Sequence, residues 1–134
     1  MKFFCVTPCL NSEAYIEETM LSVLEQSAFK GGGNSLYYVV KDGLSTDSTV
    51  ALAVKIANQY SHVENIVVKI ESKPDSGMYD ALADGFSNGP AADCYSYINA
   101  GDFYSPYAFN VVSRVLRNGP VNFLTGLRVT YNCE

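Results

Sequence analysis

YSYINAGD, residues 95–102, is the stretch around which the rest of the chain is organised. An apolar and aromatic run that ends in turn-forming residues predicts a buried strand that stops abruptly. Asn99, Ala100 and Gly101 let the chain bend sharply, which leaves Asp102 at the carboxyl edge of the sheet, where ligands of open α/β sheets bind. A lone carboxylate there suits a hard divalent cation. Taken alone, the pattern favours a second role for Asp102, the cap of a helix with Pro106 in its first turn.

The composition describes one folded domain. The chain has 134 residues, enough for one core and too few for two domains. Hydrophobic residues make up 48% and charged residues 17%, which is typical of a globular chain and not of a disordered one. The net charge of −5 argues against a nucleic-acid groove, which would need a basic stripe. An anionic ligand would therefore need a bridging cation or backbone N–H donors.

The cysteines argue against a zinc site and indicate the compartment. There is no CxxC pair or metal-ligand spacing among the four, and the chain has a single histidine. Cys5 and Cys94 lie in apolar strand patterns and are expected to be buried free thiols, which indicates a reducing environment. Neither a signal peptide nor a membrane span is predicted. We expect a cytoplasmic protein, whose full-length form could still associate with a membrane.

Strand and helix patterns alternate along the chain, which predicts a parallel-rich α/β sheet. Besides the opening stretch, the strands are predicted at Lys2–Thr7, Leu36–Val40, Asn65–Ile70 and Val121–Leu124. Four helices are predicted, the first at Ser12–Gln26 and the last at Ser105–Arg117. The second starts at Ser45-Thr46-Asp47, with Val50, Val54 and Ala57 facing inward. The third passes through Met78, Leu82 and Phe86 and ends near Gly89-Pro90. Ser12 is expected to cap the first helix. The glycine-rich Gly31–Asn34 is interpreted as a connector, because no P-loop Lys-Ser/Thr follows it.

Three polar turns follow strand ends, at residues 7–11, 41–43 and 99–102. In a doubly wound sheet all three lie along one edge. The first turn lacks Gly-x-Gly-x-x-Gly, which disfavours a dinucleotide-binding Rossmann enzyme. Asp42 is predicted either to accept a hydrogen bond from a base or ribose, or to stabilise the turn at Gly43.

Four motifs, in order, resemble those of family 2 glycosyltransferases. Thr7-Pro8-Cys9-Leu10-Asn11, with the helix that contains Ser22-Val23-Leu24-Glu25-Gln26, resembles the opening of that family. Residues 42–49, DGLSTDST, resemble its "DGxSTDxT" segment, and residues 74–81, PDSGMYDA, resemble a variant of polysaccharide-building members. Asn99-Ala100-Gly101-Asp102 stands where the family has its metal-binding "DxD"-type motif. The motifs cover nearly the whole chain.

The resemblance implies a GT-A fold, a Rossmann-like three-layer α/β/α arrangement with a mainly parallel central sheet. It implies that Pro8 and Asn11 line a base pocket, that Asp42 contacts the base and that Asp75 lies by the nucleotide. Asp102 would bind Mg²⁺ or Mn²⁺. Two departures stand out: Leu10 lies close to where many members have Tyr, and Gly101 leaves Asp102 as the only carboxylate of the metal motif.

The implied function is transfer of a sugar from a nucleotide-diphospho-sugar, with a UDP-sugar favoured, to a glycan or lipid-linked acceptor. The transfer would be inverting and would serve polysaccharide or glycan biosynthesis. The alternative is a catalytically silent nucleotide-binding or interaction domain of the same fold.

The resemblance covers the donor part, residues 1–134, so the acceptor half and the general base are expected beyond Glu134. We therefore expect these residues to bind the donor without transferring sugar. Leu127–Tyr131 alternates like an unpaired edge strand, which favours a homodimer.

His62 is a poor candidate base, and Asp80 is better explained as a cap or surface residue. Tyr79 and Tyr104 are candidate sugar platforms.

Overall fold

The structure is a computed structural model that describes residues 1–126. Within this range strands and helices alternate, as the sequence predicts. In chain order the elements are β1 (Lys2–Cys9), α1 (Ile16–Leu24), β2 (Ser35–Asp42), α2 (Thr49–Gln59), β3 (Ile66–Ser72), α3 (Met78–Ser87), β4 (Cys94–Tyr97) and α4 (Ala108–Asn118). A short 3₁₀ segment, Ser27–Phe29, follows α1. Among the helices of this range, none is long and apolar enough to cross a membrane.

The four strands form one parallel sheet in the order β3-β2-β1-β4, which confirms the predicted mainly parallel sheet. The chain moves from β1 to β2 and β3 in one direction and then crosses back to place β4 on the other side of β1. The strand order therefore reverses between β1 and β4. In open α/β sheets, this reversal opens a crevice at the carboxyl ends of the two strands.

The central strand β1 is buried on both faces, because successive side chains of a strand point to opposite sides. Phe3 and Cys5 join the larger core cluster with residues of α1, α2 and α4. Phe4 and Val6 join a smaller cluster with Leu82 of α3. Helices thus cover both faces of the sheet, which confirms the three-layer α/β/α fold. Each fully buried aromatic or aliphatic side chain contributes roughly 1.5–3 kcal/mol to this packing.

The strand β4 is not buried, which corrects the prediction for residues 95–97. Tyr95 and Tyr97 are both about half exposed, and burial returns only at Ile98. Within the described sheet β4 pairs with β1 alone, so one side of the strand has no neighbour among these residues. Aromatic residues are common in strands whether central or at an edge, so the pattern could not distinguish the two.

The first two helices begin later than predicted. The carbonyl oxygen of Ser12 accepts hydrogen bonds from the N–H groups of Tyr15 and Ile16, both at 2.9 Å, so Ser12 forms a turn before α1. Its hydroxyl donates to Leu10 instead of capping the helix. In α2 the buried residues are Thr49, Ala53 and Ile56, whereas Val54 is exposed. The buried residues of α2 follow helical spacing that starts at Thr49. Val50 and Val54, which were predicted to face inward, do not lie on this buried face.

The predicted strand at Val121–Leu124 is not formed. These residues lie in irregular structure after α4, and Phe123 is exposed. A strand needs a partner for its backbone N–H and C=O groups, and no described strand pairs with this segment. The predicted edge strand at Leu127–Tyr131 lies outside the described residues.

Replacing Gly89 by alanine is expected to destabilise the fold. A Cβ atom on Gly89 would lie 2.1 Å from Cε1 and 2.3 Å from Cζ of Phe4. The Phe4 ring is fully buried and packs edge-on against Tyr37 and Phe86, so it has little room to move. We expect Gly89→Ala to lower the free energy of unfolding by about 1–3 kcal/mol in urea titrations. Gly119→Ala is the control, because no atom lies within 4 Å of its Cβ position. Equal losses in both variants would contradict this account.

Candidate functional site

The carboxyl ends of three strands lie side by side. In the sheet register Cys9 of β1 pairs with Asp42 of β2, and Asp42 pairs with Ser72 of β3. The turn after β4, residues 98–102, follows a strand on the opposite side of β1. Polar loops from both sides of the strand-order reversal therefore reach the same edge of the sheet, as the sequence predicts.

The loops after β1 and β2 are joined by hydrogen bonds. The backbone N–H of Gly43 donates to the carbonyl oxygen of Cys9 at 3.0 Å, and the N–H of Asn11 donates to Oγ of Ser45 at 2.8 Å. In return the N–H of Thr46 donates to Oδ1 of Asn11 at 2.9 Å. Asn11 has a positive φ of 47°, which asparagine tolerates better than most residues. The amide of Asn11 is therefore one of the groups that hold the two loops together.

A second set of contacts joins the same two loops through Asp47, to which the sequence alone assigned no contact with the first loop. The N–H of Glu13 donates to Oδ2 of Asp47 at 3.1 Å, and the N–H of Ser48 donates to Oε2 of Glu13 at 2.9 Å. Asp47 accepts hydrogen bonds from the hydroxyl and the backbone N–H of Thr49. These bonds lower the pKa of Asp47, and the bond from the hydroxyl has the larger effect. Asp47 thus joins the start of α2 to the first loop. The Ser/Thr/Asp-rich composition of residues 45–49 was the available signal.

Asp42 is only 1% exposed, and both of its carboxylate oxygens already accept hydrogen bonds. Its Oδ2 accepts from the N–H of Ser45 at 3.0 Å and from the hydroxyl of Ser72 at 2.6 Å. Its Oδ1 accepts from the hydroxyl of Ser45 and faces Sγ of Cys9 at 3.9 Å. Burial and the nearby Asp42 raise the pKa of Cys9 to about 12, so the thiol is neutral at neutral pH. An N–H group of a ligand would have to replace one of these donors to reach Asp42. The hydroxyl of Ser72 is the most accessible of them, because Ser72 is exposed.

Asp75 brings a third loop to the same edge. Its Oδ1 accepts a hydrogen bond from the N–H of Gly77 at 2.9 Å. Its Oδ2 lies 3.0 Å from the position that a Cβ atom would occupy on Gly43, so glycine allows this close approach. Asn11, Asp42 and Asp75 are thus brought together. Pro8 lies one residue before the end of β1 and is buried.

Asp102 is exposed, and its turn is held by α1. The hydroxyl of Thr19 accepts from the N–H of Gly101 at 3.0 Å and donates to the carbonyl oxygen of Asp102 at 2.9 Å. Gly101 has a φ of +100°, which favours glycine. The helix α4 begins only at Ala108, after Tyr107, so the alternative in which Asp102 caps this helix is wrong. The carboxylate is therefore presented at the edge of the sheet without a capping role.

Few oxygen ligands for a cation accompany Asp102 in the described residues. Asn99, three residues earlier, has a buried Oδ1 that lacks a hydrogen-bond partner within residues 1–126. Carboxylate and amide oxygens are the ligands that Mg²⁺ and Mn²⁺ prefer. Nowhere in residues 1–126, however, do three or more His, Cys, Asp or Glu side chains come together in a group that could hold a metal ion. Asp102 therefore offers a cation one exposed carboxylate, and the remaining oxygens would have to come from water and a diphosphate.

A groove of about 420 Å³ lies beside α1 and not over these loops. Its lining includes Glu17, Glu18, Glu25 and Phe103. Three carboxylate side chains would repel a diphosphate at neutral pH. The groove is therefore a poor candidate for the nucleotide.

Other residues weighed from the sequence fall into structural roles. Tyr104 has structural contacts, because its hydroxyl donates to the carbonyl oxygen of Tyr97 at 2.9 Å and its ring packs against Phe109. Tyr79 remains exposed. His62 lies between α2 and β3, at the opposite edge of the sheet. Asp80 accepts a hydrogen bond from the N–H of Ser76 at 2.9 Å, as expected for a capping residue.

Comparison with solved structures shows the same fold in proteins that were solved with nucleotide-sugar or nucleotide ligands. One match is TarS residues 1–349 from S. aureus in complex with UDP-GlcNAc, with a TM-score of 0.68, 21% identity and coverage of 87% of this chain and 31% of that chain. The mannosyltransferase PcManGT from Pyrobaculum calidifontis, in complex with GDP-Man and Mn²⁺, has a TM-score of 0.68 and 19% identity over 85% of this chain and 31% of that chain. Glucosyl-3-phosphoglycerate synthase from Mycobacterium tuberculosis, in complex with UDP, has a TM-score of 0.58 and 25% identity over 88% of this chain and 40% of that chain.

The chain thus spans about a third of the length of the first two structures. No curated protein sequence matches it significantly. The sequence model of the family described as "Glycosyl transferase family 2" matches residues 4–134, which is nearly the whole chain. The chain therefore belongs to glycosyl transferase family 2.

Proposed function

We propose that the chain is the donor part of an enzyme that transfers a sugar from a nucleotide-diphospho-sugar, preferably a UDP-sugar, to a glycan or lipid-linked acceptor. The transfer inverts the configuration at the sugar carbon and serves polysaccharide or glycan biosynthesis. One observation carries the proposal. The loops with Asn11, Asp42 and Asp75 converge on one side of β1, and the exposed Asp102 lies beyond it, across the strand-order reversal. The ligands in the matching structures, UDP-GlcNAc, GDP-Man and UDP, support the same class of donor.

Each group has a distinct role in this proposal. The base lies beside Asp42, Asn11 and Asp75, with Pro8 beneath, and its N–H takes the place of the Ser72 hydroxyl on Asp42. Asp102 would hold Mg²⁺ or Mn²⁺, which would orient the diphosphate, and Thr19 fixes the turn that presents Asp102. A divalent cation bound there would neutralise the negative charge that develops on the leaving diphosphate.

Titration with UDP in the presence and absence of Mn²⁺ tests the donor site. We expect calorimetric binding that strengthens with Mn²⁺, because Asp102 alone offers the cation too few ligands without the diphosphate. Binding without turnover by the full-length protein, supplied with acceptors, would favour the silent nucleotide-binding domain. No binding of UDP under either condition would overturn the proposal.

We also propose that residues 1–134 do not transfer sugar by themselves. The carboxylates close to the candidate site already have partners: Asp42 and Asp47 hold the loops, and Asp75 and Asp80 accept backbone N–H groups. Asp84 forms an ion pair with Lys41. The base that activates the acceptor hydroxyl is therefore expected beyond Glu134. Incubation with UDP-sugars, Mn²⁺ and acceptors should give no glycosylated product, and clear product would direct attention to Asp75, Asp80 and Asp84.

Asp42→Asn is expected to weaken UDP binding by about 1–3 kcal/mol, the cost of leaving a buried donor without its acceptor. The amide keeps the size of the side chain but replaces one accepting oxygen by an NH₂ group. The change should leave binding of pyrophosphate with Mn²⁺ unaffected, because the base is absent from that ligand. Ser72→Ala is the companion variant and should not weaken UDP binding, since it frees an oxygen of Asp42. An equal loss of UDP and pyrophosphate affinity in Asp42→Asn would contradict the assignment to the base.

We further propose a cytoplasmic location, with membrane association possible in the full-length protein, and a homodimer through a sheet edge. Cys5, Cys9 and Cys94 are free thiols, which supports a reducing compartment. Light scattering after size exclusion tests the dimer, which an exclusively monomeric mass at micromolar concentration would contradict.

A further inference from the structure

Leu44 has an unfavourable backbone conformation for its residue type. Its φ is +67°, in the left-handed region where Cβ crowds the backbone of any residue except glycine. Among the non-glycine residues that the structure describes, only Asn11 shares this feature, and asparagine tolerates it. Glycine would adopt the conformation of Leu44 without strain. Such strain in a loop often accompanies a functional role of the side chain.

The core gives no reason for a leucine here. The side chain of Leu44 is 50% exposed, and among residues 1–126 it belongs to neither hydrophobic cluster nor to the residues packed against them. Leu10 resembles it, with 57% exposure and no place in either cluster. Two exposed leucines bury little apolar surface in the free protein, so the strain at Leu44 is not offset by packing.

The two leucines occupy corresponding positions on paired loops. Leu10 lies between Cys9 and Asn11, and Leu44 lies between Gly43 and Ser45. The bonds from Gly43 to Cys9 and from Asn11 to Ser45 therefore bracket both leucines. Asp42, the buried acceptor of this edge, lies two residues before Leu44.

We propose that Leu44, together with Leu10, forms the apolar contact for the ring face of the nucleobase in a nucleoside diphosphate donor. The inference rests on the proposed function. Leu44 lies two residues after Asp42 on the same loop and is exposed, so a base that donates its ring N–H to Asp42 can lay its flat face against these leucines. Covering that face removes apolar surface of both the base and the leucines from water. Contact with a ring face does not read the identity of the base, so Leu44 contributes affinity and Asp42 contributes selectivity.

Two substitutions of Leu44 separate binding from strain. Leu44→Gly removes the side chain and the strain, and should weaken UDP binding about tenfold while the Tm equals or exceeds that of the parent. Leu44→Ala removes the contact but keeps a Cβ in the left-handed region, so it should lose as much UDP affinity without a gain in Tm. Binding of pyrophosphate with Mn²⁺ should not change in either variant. Leu124→Gly, at an exposed leucine beyond α4, is the control and should bind UDP like the parent.

The outcomes distinguish this inference from the function on which it rests. If the parent binds UDP and both Leu44 variants bind it equally well, Leu44 makes no contact with the base and the inference is wrong. If Leu44→Gly loses affinity but Leu44→Ala does not, loop flexibility and not the side chain is responsible, which also overturns it. If UDP does not bind the parent at all, the proposed function itself fails.

Discussion

Replacing Asp102 by alanine is expected to lower the Mn²⁺-dependent affinity for UDP roughly 10- to 100-fold, the range seen when supporting groups of a metal site are removed. Asp102 is the only carboxylate in the turn after β4, so the turn would retain no charged ligand for the cation. The fold should be unaffected, because Thr19 holds the turn through the backbone of Gly101 and Asp102. Calorimetry with UDP, with Mn²⁺ present or replaced by EDTA, measures the effect directly.

The control for this prediction is Glu64→Ala, which removes an exposed carboxylate between α2 and β3, at the opposite edge of the sheet. It changes the net charge equally, so a general electrostatic effect would appear in both variants. We expect Glu64→Ala to retain the parent's response to Mn²⁺. If Asp102→Ala retains it as well, Asp102 does not hold the cation.

The largest expected change in stability is at Lys41. Its side chain is only 3% exposed, and its ammonium group pairs with Glu71 at 2.7 Å and with Asp84. Burial alone would lower the pKa of Lys41, but hydrogen bonds to Asp84 and Glu71 outweigh it and raise the pKa. Lys41→Met would leave Glu71 without its ion-pair partner and Asp84 with only the more exposed Lys73. Removing one partner of a buried pair costs 3–5 kcal/mol, and the 34% and 32% exposure of Glu71 and Asp84 reduces this to about 2–4 kcal/mol.

Lys73→Met is the matched control. Lys73 also pairs with Asp84, at 2.6 Å, but its side chain is 48% exposed. An ion pair so open to solvent contributes at most about 1 kcal/mol, so urea titrations should separate the two variants clearly. Equal destabilisation by both changes would mean that burial of Lys41 does not determine the strength of the pair.

The same cluster predicts how stability depends on pH. Hydrogen bonds from Lys41, and next from Lys73, lower the pKa of Asp84 from 3.8 to about 2. A carboxyl group with a lowered folded-state pKa stabilises the fold above its unfolded pKa and loses this contribution as the pH falls through the folded value. The stability difference between the parent and Lys41→Met should therefore shrink as the pH falls from about 4 to about 2. A difference that stays constant across this window would contradict the ionic account.

The sequence alone determined the order of the elements and the edge of the sheet at which polar residues meet. Apolar runs and helical spacing are local, so they are legible without coordinates, and parallel alternation then places every strand end on one side. Asp42 and Asp102 could be assigned to that edge for this reason. The four motifs in sequence order led to the same family that the comparison identifies.

Only the tertiary structure decided how the polar residues are used. Asp42 looked like a free acceptor, yet donors from Ser45 and Ser72 occupy it, because loops distant in the sequence meet there. The strand β4 looked buried, yet within the described sheet it has only β1 as a neighbour. The backbone of Leu44 and the burial of Lys41 also depend on contacts between separate strands and loops. Burial, strain and hydrogen-bond partners are properties of the packed chain, and a linear pattern does not contain them.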